Sequence, residues 1–199
     1  MCEKSSTINV GFCKGTFHPG THMCLVFRTE EERKKIITKF IESGILDDER
    51  VSYFADSATP EDVIDWLSSL DVDISEALHE HNFSTDNAVD VYCPDGTFQP
   101  ERMLNTLKES YTASEQAGYS NARVTGEMTW ALKGLPGSER LIEYESKINE
   151  VVKTHPITAM CQYDANRFSG SLIYQAIQVH PFMVVNGQLV ENPYFITRE

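Results

Sequence analysis

The chain is 199 residues long, with 41% hydrophobic and 24% charged residues, which describes one ordinary folded domain with a substantial core rather than a disordered chain. A net charge of −13 and a pI of about 4.8 argue against a direct nucleic-acid surface, because phosphate binding needs clustered Lys and Arg. No apolar run approaches the roughly 18–20 residues that span a bilayer. The N-terminus lacks the apolar core of a secretory signal. Five cysteines with no CxxC pair fit a reducing compartment, so the expectation is a cytoplasmic protein that touches no membrane.

In chain order, Met23-Cys-Leu-Val-Phe27 reads as a buried strand. Thr29 with Glu32 forms a capping box, and Ile36, Ile37, Phe40 and Ile41 fall at helical spacing up to Gly44, which reads as the helix stop. The cationic run Arg33-Lys34-Lys35 follows Glu30-Glu31-Glu32 and reads as charge pairing along a solvated face. Arg50–Ala55 is the next strand, and Thr59-Pro60 opens a second helix. The stretch 70–95 is the hardest to read. Val72–Ile74 and Val89–Tyr92 look like strand pieces, with a short helix around Glu76–His81.

From Pro100 the pattern sharpens. Met103, Leu104, Leu107 and Tyr111 mark a helix that stops near Gly118, and Ala122–Thr125 is a strand. A helix from Ser138 puts Leu141, Tyr144, Ile148 and Val151 on one face. Ile157–Tyr163 is another apolar strand, a helix follows through Leu172, Ile173, Ala176 and Ile177, and Pro181–Val185 is a last core strand. Asn186-Gly187 signals a two-residue hairpin into Gln188–Val190. Strand and helix alternate, so the fold class is α/β, a three-layer sandwich with a mostly parallel central sheet and a C-terminal hairpin at its edge. Residues 1–20 read as an N-terminal segment and 21–199 as a single domain.

The segments His22-Met-Cys-Leu-Val-Phe27, Arg123-Val-Thr-Gly-Glu-Met-Thr-Trp130 with Leu135-Pro-Gly-Ser-Glu139, Thr158-Ala-Met-Cys-Gln-Tyr-Asp164, and His180-Pro181 with Asn192-Pro-Tyr194 together resemble the DcmR-like sensory family, the MEDS domain of methanogens and methylotrophs. The resemblance covers most of the chain. It implies a sensory input domain for small organic molecules, of RecA-like and KaiC-like appearance, found alone or joined to transcriptional regulators and histidine kinases. The chain shows no attached DNA-binding or kinase region, so the expectation is that output passes through a protein partner, with a changed homodimer surface as one route. The resemblance assigns no role to Gly11–Gly20.

Several residues are candidates for chemistry, each with a plainer reading beside it. Glu127 with Trp130, just past a strand end, and Tyr163 form a candidate ligand pocket; alternatively Trp130 fills core and Glu127 caps a helix or pairs with Arg123 or Arg140. His22 and Cys24 share a strand face, and together with Cys161 and His180 they could line the same crevice or hold zinc or iron; alternatively they are core and backbone-bonded residues. His18 and Cys13 offer an extra ligand or simple packing, and His79 and His81 read as surface. Gly134-Leu-Pro-Gly-Ser138 before a helix is an anion site or a turn. No GxxxxGK[ST], GxSxG or GxGxxG occurs, which lowers the case for an enzyme and for ATP hydrolysis. The sequence names no cofactor. The reading is a small-molecule sensor; the alternatives are a degenerate RecA-like nucleotide-binding protein, a His/Cys metal or redox sensor, and a pure protein-interaction module.

Overall fold

The computed structural model of the chain describes residues 7–69, 74–79 and 82–197. Seven strands form one sheet: β1 (His22–Phe27), β2 (Glu49–Ala55), β3 (Phe83–Asn87), β4 (Asn121–Glu127), β5 (Thr158–Asp164), β6 (Phe182–Val185) and β7 (Gln188–Glu191). Their order is β3-β2-β4-β5-β1-β6-β7, and every pairing is parallel except the terminal β6–β7 hairpin. The alternation of strand and helix requires this, because each parallel return needs a crossover.

Helices cover both faces. On one lie α1 (Glu30–Leu46), α2 (Pro60–Ser69) and α3 (Ser75–His79), packed on Met23, Leu25, Val51, Tyr53 and Met160. On the other lie α4 (Ala88–Tyr92), α5 (Pro100–Ala117), α6 (Leu141–Thr154) and α7 (Gly170–Val179), packed on Cys24, Ala122, Cys161 and Tyr163. Two short 3-10 turns, Met128–Lys133 and Ser138–Arg140, lead from β4 into α6. The odd and even residues of each central strand therefore bury into different layers, the period-two rule acting on a doubly covered sheet.

Local signals explain most boundaries. Thr29 accepts from the Glu32 amide at 3.2 Å to start α1. Gly118, at φ 90°, closes α5. Asn186 and Gly187 both take positive φ, 50° and 70°, as a two-residue hairpin of this type needs.

Two boundaries differ from the sequence reading. Gly44 does not end α1, which runs on to Leu46. A Cβ there would lie 2.7 Å from the Val51 side chain and 2.9 Å from Arg123 Nε, so this glycine is a packing requirement inside the helix rather than a stop. Val89–Tyr92 is helical rather than extended: the Asn87 side chain accepts from the Val89 amide at 2.9 Å and starts α4. The strand is instead the polar stretch just before it, Phe83–Asn87, which needs few apolar residues because it lies at the sheet edge. The expected strand piece Val72–Ile74 falls largely outside the described residues, as does the end of the expected Glu76–His81 helix.

Residues 7–20 pack against the α1 face. Ile8 and Phe17 exchange backbone hydrogen bonds of 2.8 and 2.9 Å, and Ile8 and Val10 are buried. Beneath them the buried Arg123 donates to Glu49 at 2.5 Å, to the Phe40 carbonyl and Ser43 Oγ at 2.7 Å each, and to the Asn9 carbonyl at 2.9 Å. Removing this guanidinium leaves the Glu49 carboxylate buried and unpaired. Arg123→Ala is expected to lower unfolding stability by about 3–5 kcal/mol, measured by urea titration. A loss below about 1 kcal/mol, the range of exposed pairs, would contradict this.

Candidate functional site

Three of the nominated residues meet in the layer between the sheet and α6–α7. His22 opens β1, Cys161 sits in the middle of adjacent β5, and His180 follows the last turn of α7. The fourth member of the group is Glu145 on α6, which the sequence reading did not nominate. His22, Glu145 and His180 have 0% exposure, and Cys161 has 5%. The candidate ligand atoms of all four lie within 4.8 Å of one another.

Glu145 Oε2 is the hub. It lies 3.3 Å from His22 Nε2, 3.4 Å from His180 Nε2 and 3.2 Å from Cys161 Sγ, while Cys161 Sγ lies 3.5 Å from His22 Nε2. The other carboxylate oxygen accepts from Tyr163 Oη at 2.6 Å. The imidazole rings sit 4.1 Å apart. Both are oriented from outside the cluster. His180 Nδ1 lies 2.7 Å from the Ala176 carbonyl, which can only accept, so Nδ1 carries the proton. His22 Nδ1 lies 3.0 Å from Asn149 Oδ1; the Asn149 amide nitrogen donates to the Val179 carbonyl at 2.8 Å, which fixes its oxygen toward the ring. Each ring thus spends Nδ1–H on an outer acceptor and turns Nε2 inward. His180 Nε2, fully buried, makes no hydrogen bond of good geometry there.

Burial first, and the neighbouring His180 second, hold His22 below its ordinary pKa against the opposing pull of Glu145. Burial alone would raise Glu145, but the His180 and His22 rings reverse that and hold its carboxyl below the usual range. Burial, then the Glu145 carboxylate, push up the Cys161 thiol and the Tyr163 phenol. Cys24 shares the face and is pushed up in the same way, but lies two residues further along β1 and is not among the four.

Glu127, Trp130 and Tyr163 do not come together. Glu127 ends β4 on the α1 face, where its carboxylate accepts from Arg33 at 2.6 Å, Tyr53 at 2.5 Å and the Ser57 amide at 2.7 Å. Its partner is neither Arg123 nor Arg140. Arg33, read from sequence as solvated, is 2% exposed and also pairs with Glu30. Trp130 lies on the opposite face, stacked on Tyr92 at 4.7 Å and against Phe98 at 4.6 Å. Tyr163 belongs to the Glu145 cluster.

The other candidates lie outside the cluster. His18 Nδ1 lies 3.4 Å from the Pro19 carbonyl and Cys13 is half-buried. His79 is exposed at the end of α3, in line with its reading as surface, and His81 lies outside the described residues. Gly134–Ser138 is a packing turn: the Pro136 carbonyl accepts from the Phe98 amide at 2.8 Å, and a Cβ on Gly137 would meet the Phe98 carbonyl oxygen. Where a phosphate loop would join β1 to α1, the connection is only Arg28-Thr29, and α1 opens with Glu30, Glu31 and Glu32. Those carboxylates occupy the helix end that would otherwise attract an anion.

The missing signal for Glu145 was present in the sequence. It lies four residues after Leu141 and three before Ile148, on the apolar stripe of α6, as Arg33 lies ahead of Ile36 and Ile37 on α1.

The Glu127 network yields a pH expectation. Although burial opposes it, Arg33 and then the Ser57 and Tyr53 hydrogen bonds hold the Glu127 carboxyl below its ordinary value of 4.5. Its contribution to stability is thus present above that value and lost as pH falls through the lower folded-state value. Glu127→Gln should therefore flatten the acid limb of a stability-versus-pH curve relative to wild type. Parallel curves for the two proteins would contradict it.

The family described as MEDS, the methanogen/methylotroph DcmR sensory domain, matches residues 21–181, a span that holds all four clustered residues. The transcriptional repressor DcmR of Methylorubrum extorquens is 33% identical over 79 residues, covering 39% of this chain and 30% of the repressor, so the match spans under a third of that relative's length. Among solved structures, a KaiC-like protein of Pyrococcus horikoshii is similar at a TM-score of 0.60 and 16% identity, covering 84% of this chain and 71% of the other. The flagellar accessory protein FlaH of Methanocaldococcus jannaschii is similar at 0.61 and 12% identity, covering 92% and 84%. At these identities the likeness is one of fold.

Proposed function

The chain belongs to the MEDS family of sensory domains, and on that premise we propose that it is a signal-input module whose receiving site is the buried His22–Glu145–Cys161–His180 cluster. One observation carries the reading: two imidazoles, a carboxylate and a thiol are aimed at a single point inside a core where ordinary packing would place apolar groups. A wholly buried site suits a ligand that is held, rather than a substrate that is turned over.

The cluster is also wired to the surface. His180 is the C-cap of α7, and its carbonyl accepts from Asn192 Nδ2 at 2.7 Å, as does the Ile177 carbonyl. The Ile196 amide donates to the Gln178 carbonyl at 2.8 Å. A change at His180 therefore reaches the outer face of α7 and the segment 192–197, where Tyr174, Tyr194 and Ile196 are exposed. A ligand acts as a signal by binding one arrangement of these elements better than another. Such output passes to a partner protein.

An organic ligand held by Glu127, Trp130 and Tyr163 at the carboxyl ends of the strands has less support, because all three side chains are buried and Glu127 and Tyr163 are spent on protein partners. A nucleotide in place of a signal ligand is disfavoured by the acidic opening of α1. The test is transcript profiling of source cells in which the gene is deleted or carries Glu145→Gln. Both strains are expected to change an overlapping set of transcripts. A profile indistinguishable from wild type in the deletion strain would overturn the regulatory role, and an effect of deletion without one of Glu145→Gln would remove the cluster from it.

A further inference from the structure

We propose that the cluster is a closed tetrahedral site for a zinc-class divalent ion, ligated by His22 Nε2, His180 Nε2, Glu145 Oε2 and Cys161 Sγ. The inference rests on the reading of this cluster as the input site and names what it receives.

Spacing is the first argument. Zinc bonds of about 2.0–2.3 Å to N, O and S place tetrahedral ligands about 3.3–3.8 Å from one another. Four of the six separations in the cluster, 3.2, 3.3, 3.4 and 3.5 Å, lie within about 0.1 Å of that range, and the other two are no longer than 4.8 Å. The second argument is orientation. Metal-bound histidines present one ring nitrogen to the ion and donate the other N–H to a fixed acceptor. Both histidines do so here, toward Asn149 and the Ala176 carbonyl, and the Glu145 oxygen turned away from the centre is held by Tyr163. His180 Nε2 is buried and makes no hydrogen bond of good geometry, a vacancy in its bonding that an ion would satisfy.

Charge is the third. Two neutral imidazoles, a carboxylate and a thiolate carry two negative charges, which a divalent ion cancels in a site closed to water. Binding converts the Cys161 thiol to a Zn–S bond and releases its proton to solvent, with no change of oxidation state. The mixed N, O and S set excludes Mg²⁺ and Ca²⁺, which take oxygen shells. Four protein ligands leave no open position, so the ion organises the fold rather than activating water. Because the ligands come from β1, α6, β5 and the end of α7, binding ties α7 to the sheet.

The other buried charges do not share this arrangement. Arg123 and Glu127 each meet several hydrogen-bond partners, and the buried acceptor left without one beside Glu127, Gln162 Oε1, is an amide oxygen with no histidine or cysteine ligand grouped around it among the described residues.

The test uses the full chain, stripped with chelator under reducing conditions and titrated with Co²⁺, then Zn²⁺. One equivalent of Co²⁺ should bind with the intense visible bands of a tetrahedral site and a near-ultraviolet sulfur-to-cobalt band, and one equivalent of Zn²⁺ should displace it. Cys161→Ser should lose the sulfur band, whereas Cys24→Ala keeps it. Tyr163→Phe should keep every band and weaken Zn²⁺ binding about 10- to 100-fold. If Cys161→Ser fails to fold, wild type and Cys24→Ala still decide the matter. Absent stoichiometric binding, or a six-coordinate cobalt spectrum without sulfur, would overturn the metal site while leaving the transcript test of the input role standing. Amide exchange of metal-free and Zn²⁺-loaded protein separates the two claims. Slower exchange in α6, α7 and 192–197 on loading supports both, and stoichiometric Zn²⁺ with unchanged exchange would keep the site but overturn its role as the input.

Discussion

The fold turns on a carboxylate placed where a carboxylate is costly. Glu145 is fully buried between α6 and the sheet, and desolvating a charge of this size costs several kcal/mol unless its neighbours compensate. They do so from four directions: Tyr163 on β5, Cys161 two residues before it, His22 on β1 and His180 at the end of α7. The same contacts fix how α6 and α7 lie on the sheet. The compensation is incomplete in one respect, since both imidazoles send their Nδ1 protons outward and present Nε2 to an already crowded centre. The ion proposed for that centre would gather the two inward-facing nitrogens, the carboxylate and the thiolate into one ligand shell.

The opposite face of the sheet provides the contrast. Arg123–Glu49 and Arg33–Glu127 are also buried, yet each guanidinium is met by well-placed acceptors and each carboxylate by donors. These pairs pin α1 and the N-terminal segment to β2 and β4, and removing one partner is expected to be destabilising. One face of the sheet thus holds satisfied structural charges. The other holds an unsatisfied cluster next to the helix whose outer surface remains exposed. The structural charges and the proposed input site are separated by the thickness of a β-sheet, and the register that alternates side chains between its faces enforces the division.

Much of the fold could be read from local chemistry. Apolar runs gave the central strands, Thr29 and Gly118 marked helix ends, and Asn186-Gly187 marked the hairpin. The failures have tertiary causes. Gly44 looks like a helix stop until Arg123 is seen to need the space of its missing side chain. Phe83–Asn87 carries little apolar signal because it is an edge strand, so the alternation just after it attracted the strand assignment instead. At the site, His22, Cys161 and His180 could be nominated by residue type, but only the β1–β5 pairing and the seat of α7 bring them together. Glu145 and Arg33 were hidden as ordinary acidic and basic residues in amphipathic helices, although both stand on the apolar stripe. Glu127 and Trp130, three residues apart in sequence, were separated by the turn that leaves β4, which sends them to opposite faces.

The most direct measurement is zinc-edge X-ray absorption on the protein loaded with one equivalent of Zn²⁺. The account predicts a four-coordinate shell with one sulfur at about 2.3 Å and nitrogen or oxygen at about 2.0 Å, including the outer-shell scattering of two imidazoles. A shell without sulfur, or one of six light atoms, would contradict it and return the cluster to a structural role.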